Sequence, residues 1–256
     1  MSRTDDMSEH NKPVTGHQAA PGAEEAGNDQ LKFAFLRNIF HEIRTPLNAI
    51  IGFSTLLGEH FKDDETAKEY IGMLIGSSER LLDTMDKIVE ASLLQSGRVT
   101  VKKDKVNITG LTRDIYSKLR PQTAQKGLKL TLRPPFANED IYIITDRYKV
   151  SQVLQNLVEN AIKFTATGEV EFGYTMSGTL LNFFVHDTGI GIPVEMKEKV
   201  FDVFFQADQG PSRLYGGTGL GLSISKAYVE MLGGKIWFSS DNGHGTTFWF
   251  TVPDDR

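Results

Sequence analysis

The residues best suited to chemistry lie in one short string, HEIRTP, at positions 41–46. His41 supplies a nucleophilic imidazole, Glu42 a carboxylate that can accept its proton, and Thr45 a hydroxyl one helical turn further on. Pro46 has no amide hydrogen and crowds the carbonyl four residues earlier, so we expect the helix to bend or loosen just after the histidine. A loosened turn can admit a phosphoryl group. The string therefore predicts a histidine that is itself a substrate, against the alternative of an ordinary surface histidine.

A second group of polar side chains follows Asp146, which ends an apolar run and suits the N-cap of a helix. Asn156, Asn160 and Lys163 come at i, i+4 and i+7, so they share one face of that helix. Carboxamide oxygens suit a hard cation such as Mg²⁺, and the lysine charge suits a phosphate. This face predicts a Mg-nucleotide site, although a plain solvated helix face has a similar composition.

Two glycine-rich strings complete the candidate nucleotide site. DTGIGI follows an apolar strand, so Asp187 can accept from an exocyclic amine such as that of adenine, while Gly189 and Gly191 permit tight turns and close backbone approach. GGTGLGL precedes a helical run, and its N–H groups at a helix N-terminus can hold phosphates. The segment between the strings is typical of a mobile lid, in which Arg213 could reach a terminal phosphate.

These groups need long helices to position the histidine. Apolar residues at alternating four- and three-residue spacing predict helices over about 29–59 and 66–95, paired as an antiparallel hairpin. A lone hairpin cannot bury both faces, so we expect a homodimer that forms a four-helix bundle. The predicted seams are Leu36, Phe40, Ile43, Leu47, Ile50, Ser54 and Leu57, then Tyr70, Leu74, Ser77, Leu81, Met85, Ile88 and Ser92.

From residue 97 the pattern indicates a second fold class. Helices at about 109–125 and 147–164 alternate with short strands, which predicts an α+β sandwich with helices on one face of a mostly antiparallel or mixed sheet. The predicted domains are a disordered tail over 1–28, the hairpin over 29–96 and the α+β domain over 97–256. The predicted strands are 99–101, 128–132, 141–144, 169–175, 180–186, 235–239 and 246–252.

Composition narrows the functional classes. The 256 residues include no cysteine, which excludes a disulfide scaffold, thiol catalysis and cysteine-ligated metals. The net charge of -5, with both signs interspersed, does not indicate nucleic-acid binding. We find neither a signal peptide nor an apolar stretch of the roughly 18 residues that a membrane helix needs. We therefore expect a cytoplasmic protein or the cytosolic part of a larger receptor, with no membrane segment in this chain.

In order, HEIRTPLN, NLVENAIKFT, DTGIGI, FDVFFQ and GGTGLGL resemble the motifs of sensor histidine kinases of two-component signalling, over residues 31–252. The resemblance implies a dimerisation and histidine-phosphotransfer hairpin followed by a Bergerat-type ATP-binding domain. It implies that His41 is phosphorylated from ATP, with Glu42 as the base, and that a response regulator's receiver domain then accepts the phosphoryl group. Thr45 matches the position that orients water in phosphatase-competent relatives.

The resemblance also implies Mg²⁺ at Asn160 and an adenine contact at Asp187. A catalytically silent docking scaffold for a response regulator remains an alternative, as does an ATPase related to chaperones or topoisomerases, which would not need His41. The stimulus and the cognate regulator stay open. The implied nucleotide-binding set is Asn156, Asn160, Lys163, Phe164, Asp187, Gly189, Gly191, Arg213, Gly217, Gly219 and Gly221.

Overall fold

The fold was analysed in a computed structural model. It describes residues 43–57, 64–133, 139–205, 218–241 and 243–255. All of them belong to one compact unit, Asn38–Arg256. Of the predicted site residues, His41, Glu42, Arg213 and Gly217 lie outside the described ranges, as do the predicted tail and the first part of the predicted first helix.

The hairpin is built from helix α1, described over 43–57, and helix α2, Asp64–Gln95. Helix α1 continues through Pro46, whose side chain is buried. Phe53 of α1 stacks on Tyr70 of α2 with ring centroids 6.0 Å apart. This contact joins the later part of α1 to the start of α2, as the predicted antiparallel hairpin requires.

The buried seam of α2 differs from the predicted one at two positions. Five predicted positions are buried or half-buried, but Met85 is 51% exposed and Ser92 is exposed too. Thr84 and Ala91, each one residue earlier, are buried in their place. The observed seam keeps a strict four-three alternation, the 3.5-residue period of a left-handed coiled coil. The prediction was wrong at 85 because it followed the larger apolar side chain of Met85 rather than Thr84, and at 92 it placed the seam one residue too late.

A second apolar stripe lies on the outside of the hairpin. In α1 the predicted seam residues Leu47 and Ser54 are exposed, and so is Ile51. An exposed apolar stripe of this kind is typical of a protein–protein contact. Its members in α2 are Ile71, Ile75, Leu82, Met85, Val89 and Leu93, between 42% and 61% exposed.

The α/β part contains two sheets. One pairs two antiparallel strands, and the other has five strands in the order β2-β4-β5-β7-β6, of which only the β2–β4 pair is parallel. The five-stranded sheet is therefore mixed, as predicted. The strands are β1 Asp104–Asn107, β2 Lys129–Arg133, β3 Tyr142–Thr145, β4 Glu169–Ser177, β5 Leu180–Asp187, β6 Ile236–Ser240 and β7 Thr246–Pro253.

Three helices cover one face of the five-stranded sheet. They are α3 Ile108–Gln125, α4 Arg147–Phe164 and α5 Gly221–Met231, and a 3₁₀ turn spans Val194–Met196. Alternate residues of the strands point into the core, where Phe183 of β5 stacks on Phe250 of β7 with centroids 4.5 Å apart. Burying such a side chain contributes about 1.5–3 kcal/mol. The predicted two-part architecture, a helical region followed by an α/β domain, is confirmed.

The predicted strand at 99–101 was wrong. The N–H of Lys102 donates to Oδ2 of Asp146 at 2.9 Å, and Nζ of Lys149 donates to the carbonyl of Thr100 at 2.7 Å. Because side chains of the α/β domain occupy these backbone groups, the segment joins no sheet. Its valines pack against the core instead.

Asp146 and Lys149 form a buried ion pair at the start of α4. Their charged atoms are 2.8 Å apart and each side chain is 5% exposed. Asp146 also caps α4, as predicted, by accepting from the N–H of Lys149 at 3.1 Å. Burial acts to raise the pKa of Asp146, but the hydrogen bonds and charge from Lys149 and the N–H of Lys102 outweigh it, so this pKa is lowered.

The end of α2 packs against the core of the α/β domain through Ala91, and one carboxylate adds polar contacts there. Glu90 of α2 accepts from the hydroxyl of Tyr148 in α4 at 3.1 Å and from the hydroxyl of Tyr228 in α5. The two tyrosine rings meet edge to face with centroids 6.3 Å apart. Burial and the charge of Glu90 raise the pKa of both tyrosines, which therefore remain donors at neutral pH.

We expect Lys149→Met to lower the free energy of unfolding by about 3 kcal/mol or more, because it leaves the Asp146 carboxylate buried without its cation. Urea denaturation at neutral pH measures this change. Lys129→Met is the matched control, because Lys129 pairs with Glu169 at an exposed site and should contribute less than about 1 kcal/mol. Equal effects of the two variants would contradict the assignment.

The same pair sets a pH dependence. Since the pKa of Asp146 is lowered from its ordinary value of 3.8, its ionised form contributes stability above 3.8 that is lost as pH falls through the lowered pKa. Lys149→Met removes the charge and side-chain hydrogen bond that lower this pKa but keeps the burial that raises it, so Asp146 should protonate at higher pH in the variant. The difference in unfolding free energy between wild type and Lys149→Met, measured by urea denaturation at several pH values, should therefore be largest near neutral pH and shrink as Asp146 of the variant protonates.

Candidate nucleotide-binding site

Helix α4 has one buried face and one half-buried polar face. Asn156, Asn160 and Lys163 are half-buried on the polar face, and Nζ of Lys163 lies 4.8 Å from the centre of the Phe164 ring. The buried residues are Lys149, Val150, Val153, Leu154, Leu157, Val158, Ala161 and Ile162. The structure therefore keeps the three predicted polar residues together on one side of the helix.

Asp187 ends β5 as a buried carboxylate, 5% exposed. Its Oδ1 accepts from the N–H of Gly189 at 2.9 Å and from the N–H of Thr246 at 3.3 Å. Burial raises the pKa of Asp187, although these two donors oppose the shift. Both hydrogen bonds within the described part of the chain end on Oδ1, so Oδ2 can accept from a ligand amine.

The string after Asp187 lies against the end of α4. The N–H of Ile190 donates to the carbonyl of Phe164 at 3.3 Å, and a Cβ on Gly189 would lie 2.4 Å from the same carbonyl oxygen. Gly191 has φ of 70°, a conformation that side chains disfavour. Close packing requires the first glycine and the backbone turn requires the second.

The strand at 246–252 was predicted, but sequence reasoning did not place its first residue, Thr246, beside Asp187. The hydroxyl of Thr246 lies 2.8 Å from Oγ of Ser240, which accepts from the N–H of Ile192 at 2.8 Å. A Cβ on Gly245 would lie 2.0 Å from the carbonyl oxygen of Asp187. The available signal was the string NGHGTT, a glycine-rich turn directly before a strand.

The second glycine-rich string is described from Thr218. Gly219 has φ of 71°, and its carbonyl accepts from the N–H of Phe204 at 3.0 Å, which joins the string to the end of FDVFF. Phe204 itself has φ of 70°. Leu220, at the N-cap of α5, provides no side-chain cap, so the first N–H groups of α5 suit an anion.

Gly221 and Asn156 meet between α5 and α4. A Cβ on Gly221 would lie 2.3 Å from Oδ1 of Asn156, and Nδ2 of Asn156 donates to Oγ of Ser225 at 2.9 Å. The side chain of Asn156 thus explains the glycine at 221. Ser225 was not among the residues predicted from the sequence.

Of the predicted catalytic residues, Thr45 lies within the described ranges, where it is exposed on α1. The structure brings Asp187 and Gly189 against Phe164 at the end of α4, and Gly221 against Asn156, while His41, Glu42, Arg213 and Gly217 lie outside the described ranges. Within those ranges we find no cluster of three His, Asp or Glu side chains able to hold a metal ion. None of the helices described here is both long and apolar enough to cross a membrane.

Two family models match the chain. The His Kinase A (phospho-acceptor) domain matches residues 31–97, and the histidine kinase-, DNA gyrase B- and HSP90-like ATPase matches residues 145–256. The autoinducer 2 sensor kinase/phosphatase LuxQ of Vibrio vulnificus strain YJ016 is 35% identical over 228 residues, which are 87% of this chain and 26% of LuxQ. The chain thus spans about a quarter of the length of that relative.

Solved structures agree with these matches. Full-length ShkA in complex with AMPPNP superposes with a TM-score of 0.64 at 28% identity, over 84% of this chain and 44% of ShkA. Histidine kinase ThkA in complex with the response regulator TrrA gives a TM-score of 0.62 at 30% identity, over 91% of this chain and 66% of ThkA. The catalytic domain of ThkA alone gives 0.52 at 32% identity, over 60% of this chain and 96% of that domain. The chain belongs to the sensor histidine kinases and carries both their phospho-acceptor hairpin and their ATP-binding domain.

Proposed function

We propose that this chain is an ATP-dependent protein-histidine kinase that autophosphorylates His41 and passes the phosphoryl group to an aspartate of a response regulator. The observation that carries the proposal is the nucleotide site, in which a buried Asp187, the polar face of α4 and the uncapped start of α5 are close in the fold. The match of the phospho-acceptor family to residues 31–97, a range that contains His41, supports an acceptor histidine in this segment.

The residues present suit a Mg-nucleotide. Asn160 would hold Mg²⁺ through its amide oxygen, and Lys163, with Arg213 from the segment before α5, would neutralise phosphate charge. Amides on α4 add no negative charge against the phosphates. Mg²⁺, when bound, contributes charge neutralisation, while the chain contributes alignment, which a loose phosphoryl-transfer transition state mainly requires. Glu42 would take the proton from the imidazole of His41.

A response regulator is the proposed protein partner. The solved complex of ThkA with TrrA supports this partner, and LuxQ is named a kinase and phosphatase. Thr45, exposed on α1, could orient water against a phosphoaspartate, which would give the same hairpin a reverse activity. We place the reaction in the cytoplasm, in a cytoplasmic protein or in the cytosolic part of a larger receptor. A silent docking scaffold is the alternative that the label below tests.

The central test is incubation with γ-labelled Mg-ATP. We expect an acid-labile, alkali-stable label on the wild type and none on His41→Gln, because a phosphoramidate on imidazole has this stability. His186→Gln is the matched control, since His186 pairs with Thr247 on the sheet and should leave the label unchanged. A label that survived His41→Gln would overturn the proposed function.

The proposed adenine contact has its own test in Asp187→Asn. Because two N–H groups require an acceptor at Oδ1, the new amide would turn its NH₂ toward the ligand and repel the adenine amine. We expect ADP affinity, measured by calorimetry, to fall roughly 10- to 100-fold. The affinity for inosine diphosphate, whose ring carries an acceptor there, should fall less.

Asp241→Asn is the matched control for Asp187→Asn, because Asp241 is exposed near the same turn. It should leave both affinities unchanged. Equal losses of ADP and inosine diphosphate in Asp187→Asn would contradict a direct contact with the base.

We also propose that the chain acts as a homodimer, with the outer apolar stripe of the hairpin against a second copy. The exposed stripe on α2 supports this arrangement, because its burial against an identical helix would complete a four-helix bundle. The match to the phospho-acceptor family supports it as well.

Leu82→Glu tests the dimer, because Leu82 is 61% exposed in the middle of the stripe and a charge there would be buried in the bundle. We expect light scattering at micromolar concentration to give twice the chain mass for wild type and the single mass for Leu82→Glu. Glu69→Gln, on an exposed part of α2 outside the stripe, should remain dimeric. A monomeric wild type would refute the dimer.

A further inference from the structure

The carboxamide of Asn156 is held in a slot on α5. We define the slot by Gly221 and Ser225, which lie one turn apart on the same face of that helix. Nδ2 of Asn156 donates to Oγ of Ser225 at 2.9 Å, and Ser225 is 2% exposed. On the other side, a Cβ on Gly221 would lie 2.3 Å from Oδ1 of Asn156. The slot therefore fits the two ends of one planar amide.

Ser225 does not use its hydroxyl as a helical serine usually does. A serine inside a helix commonly bonds a carbonyl of the preceding turn, as Ser223 does with the carbonyl of Leu220 at 2.9 Å. The Ser225 hydroxyl instead receives a side chain from another helix across 69 positions of sequence. Ser223 therefore bonds to the backbone of its own helix, whereas Ser225 bonds to a side chain of α4.

The hydrogen bond determines which end of the amide points where. The terminal torsion of asparagine is soft, and a free amide exchanges its oxygen and nitrogen ends. With Nδ2 bound to Ser225, Oδ1 faces the first turn of α5, where N-terminal N–H groups have no side-chain cap. An oxygen there can accept from a metal-bound water or ligate a hard cation, but it cannot donate to a phosphate.

We propose that Ser225 is a positioning residue for the kinase reaction, which orients the amide of Asn156 toward the metal side of a Mg-nucleotide. The inference rests on the proposed function, in which Asn156 contacts the bound nucleotide. It assigns a role to a buried residue outside the recognisable motifs, and it predicts a Mg²⁺-dependent defect when the hydroxyl is removed.

The test measures ADP affinity of Ser225→Ala by calorimetry, once with Mg²⁺ and once with EDTA. We expect a loss of about tenfold with Mg²⁺, the size of one hydrogen bond that aligns a charged ligand, and less than about twofold with EDTA. A general loss of structure would weaken binding equally in both buffers. Equal losses, or no loss with Mg²⁺, would overturn the proposal.

Two further variants separate the hydrogen bond from packing. Ser225→Cys keeps the side-chain volume but weakens the hydrogen bond, so its Mg²⁺-dependent loss should lie between those of wild type and Ser225→Ala. Ser223→Ala removes a hydroxyl from the same helix without touching Asn156, and both affinities should stay at the wild-type value. A Ser223→Ala defect equal to that of Ser225→Ala would contradict the proposal.

A double-mutant cycle shows whether Ser225 acts through Asn156 alone. In an Asn156→Ala background, Ser225→Ala should cause no further Mg²⁺-dependent loss, because the group it positions is already gone. Full additivity would refute the positioning role. The outcome can be separated from that of the His41 labelling experiment. If Ser225→Ala is labelled normally and its affinities are unchanged, only the role of Ser225 is refuted. If the wild type is not labelled, the proposed function itself is refuted.

Discussion

The packing of α4 against the five-stranded sheet is the constraint on which the rest of the structure depends. Its apolar residues are buried, and burying each larger aliphatic side chain contributes about 1.5–3 kcal/mol, so the rotation of the helix about its own axis is strongly fixed. With the rotation fixed, a period of 3.6 residues leaves one direction for Asn156, Asn160 and Lys163. The polar face is thus set by the core, and the nucleotide residues need little packing of their own.

Three carboxylates connect parts of the chain that are distant in sequence. Asp187 accepts from the turn after β5 and from the start of β7, Asp146 binds the segment before β1, and Glu90 joins α2 to two helices of the α/β domain. Each accepts at least two hydrogen bonds, as acidic groups at least partly removed from solvent require. Their protonation states differ accordingly: the ion pair lowers the pKa of Asp146, while burial raises that of Asp187.

Sequence reasoning succeeded where the signal is local. The cap at Asp146 and the bounds of α4 follow from the helical period and one capping residue, and the position of β5 follows from a short apolar run. It failed at 99–101, where strand-forming residues bond to side chains 44 and 49 positions away. It also could not find Ser225, because the partner of that serine lies on another helix and no local pattern marks the pair.

The hold of Asp146 and Lys149 on the backbone at 100–102 changes where the ATP-binding domain begins. In the covalent chain this segment connects two domains, but its backbone groups form hydrogen bonds with side chains of the second domain. A fragment that began at β1 would therefore leave the buried ion pair without two of its hydrogen-bond partners. A self-sufficient domain has to start before residue 100. The same hold restricts motion, since a swing of the domain relative to the hairpin must pivot ahead of the held segment, where Gly97 already has φ of 66°. Of this connection, only the few residues at the end of α2 lie ahead of the backbone groups that Asp146 and Lys149 bind, so a bend placed there would leave both hydrogen bonds in place.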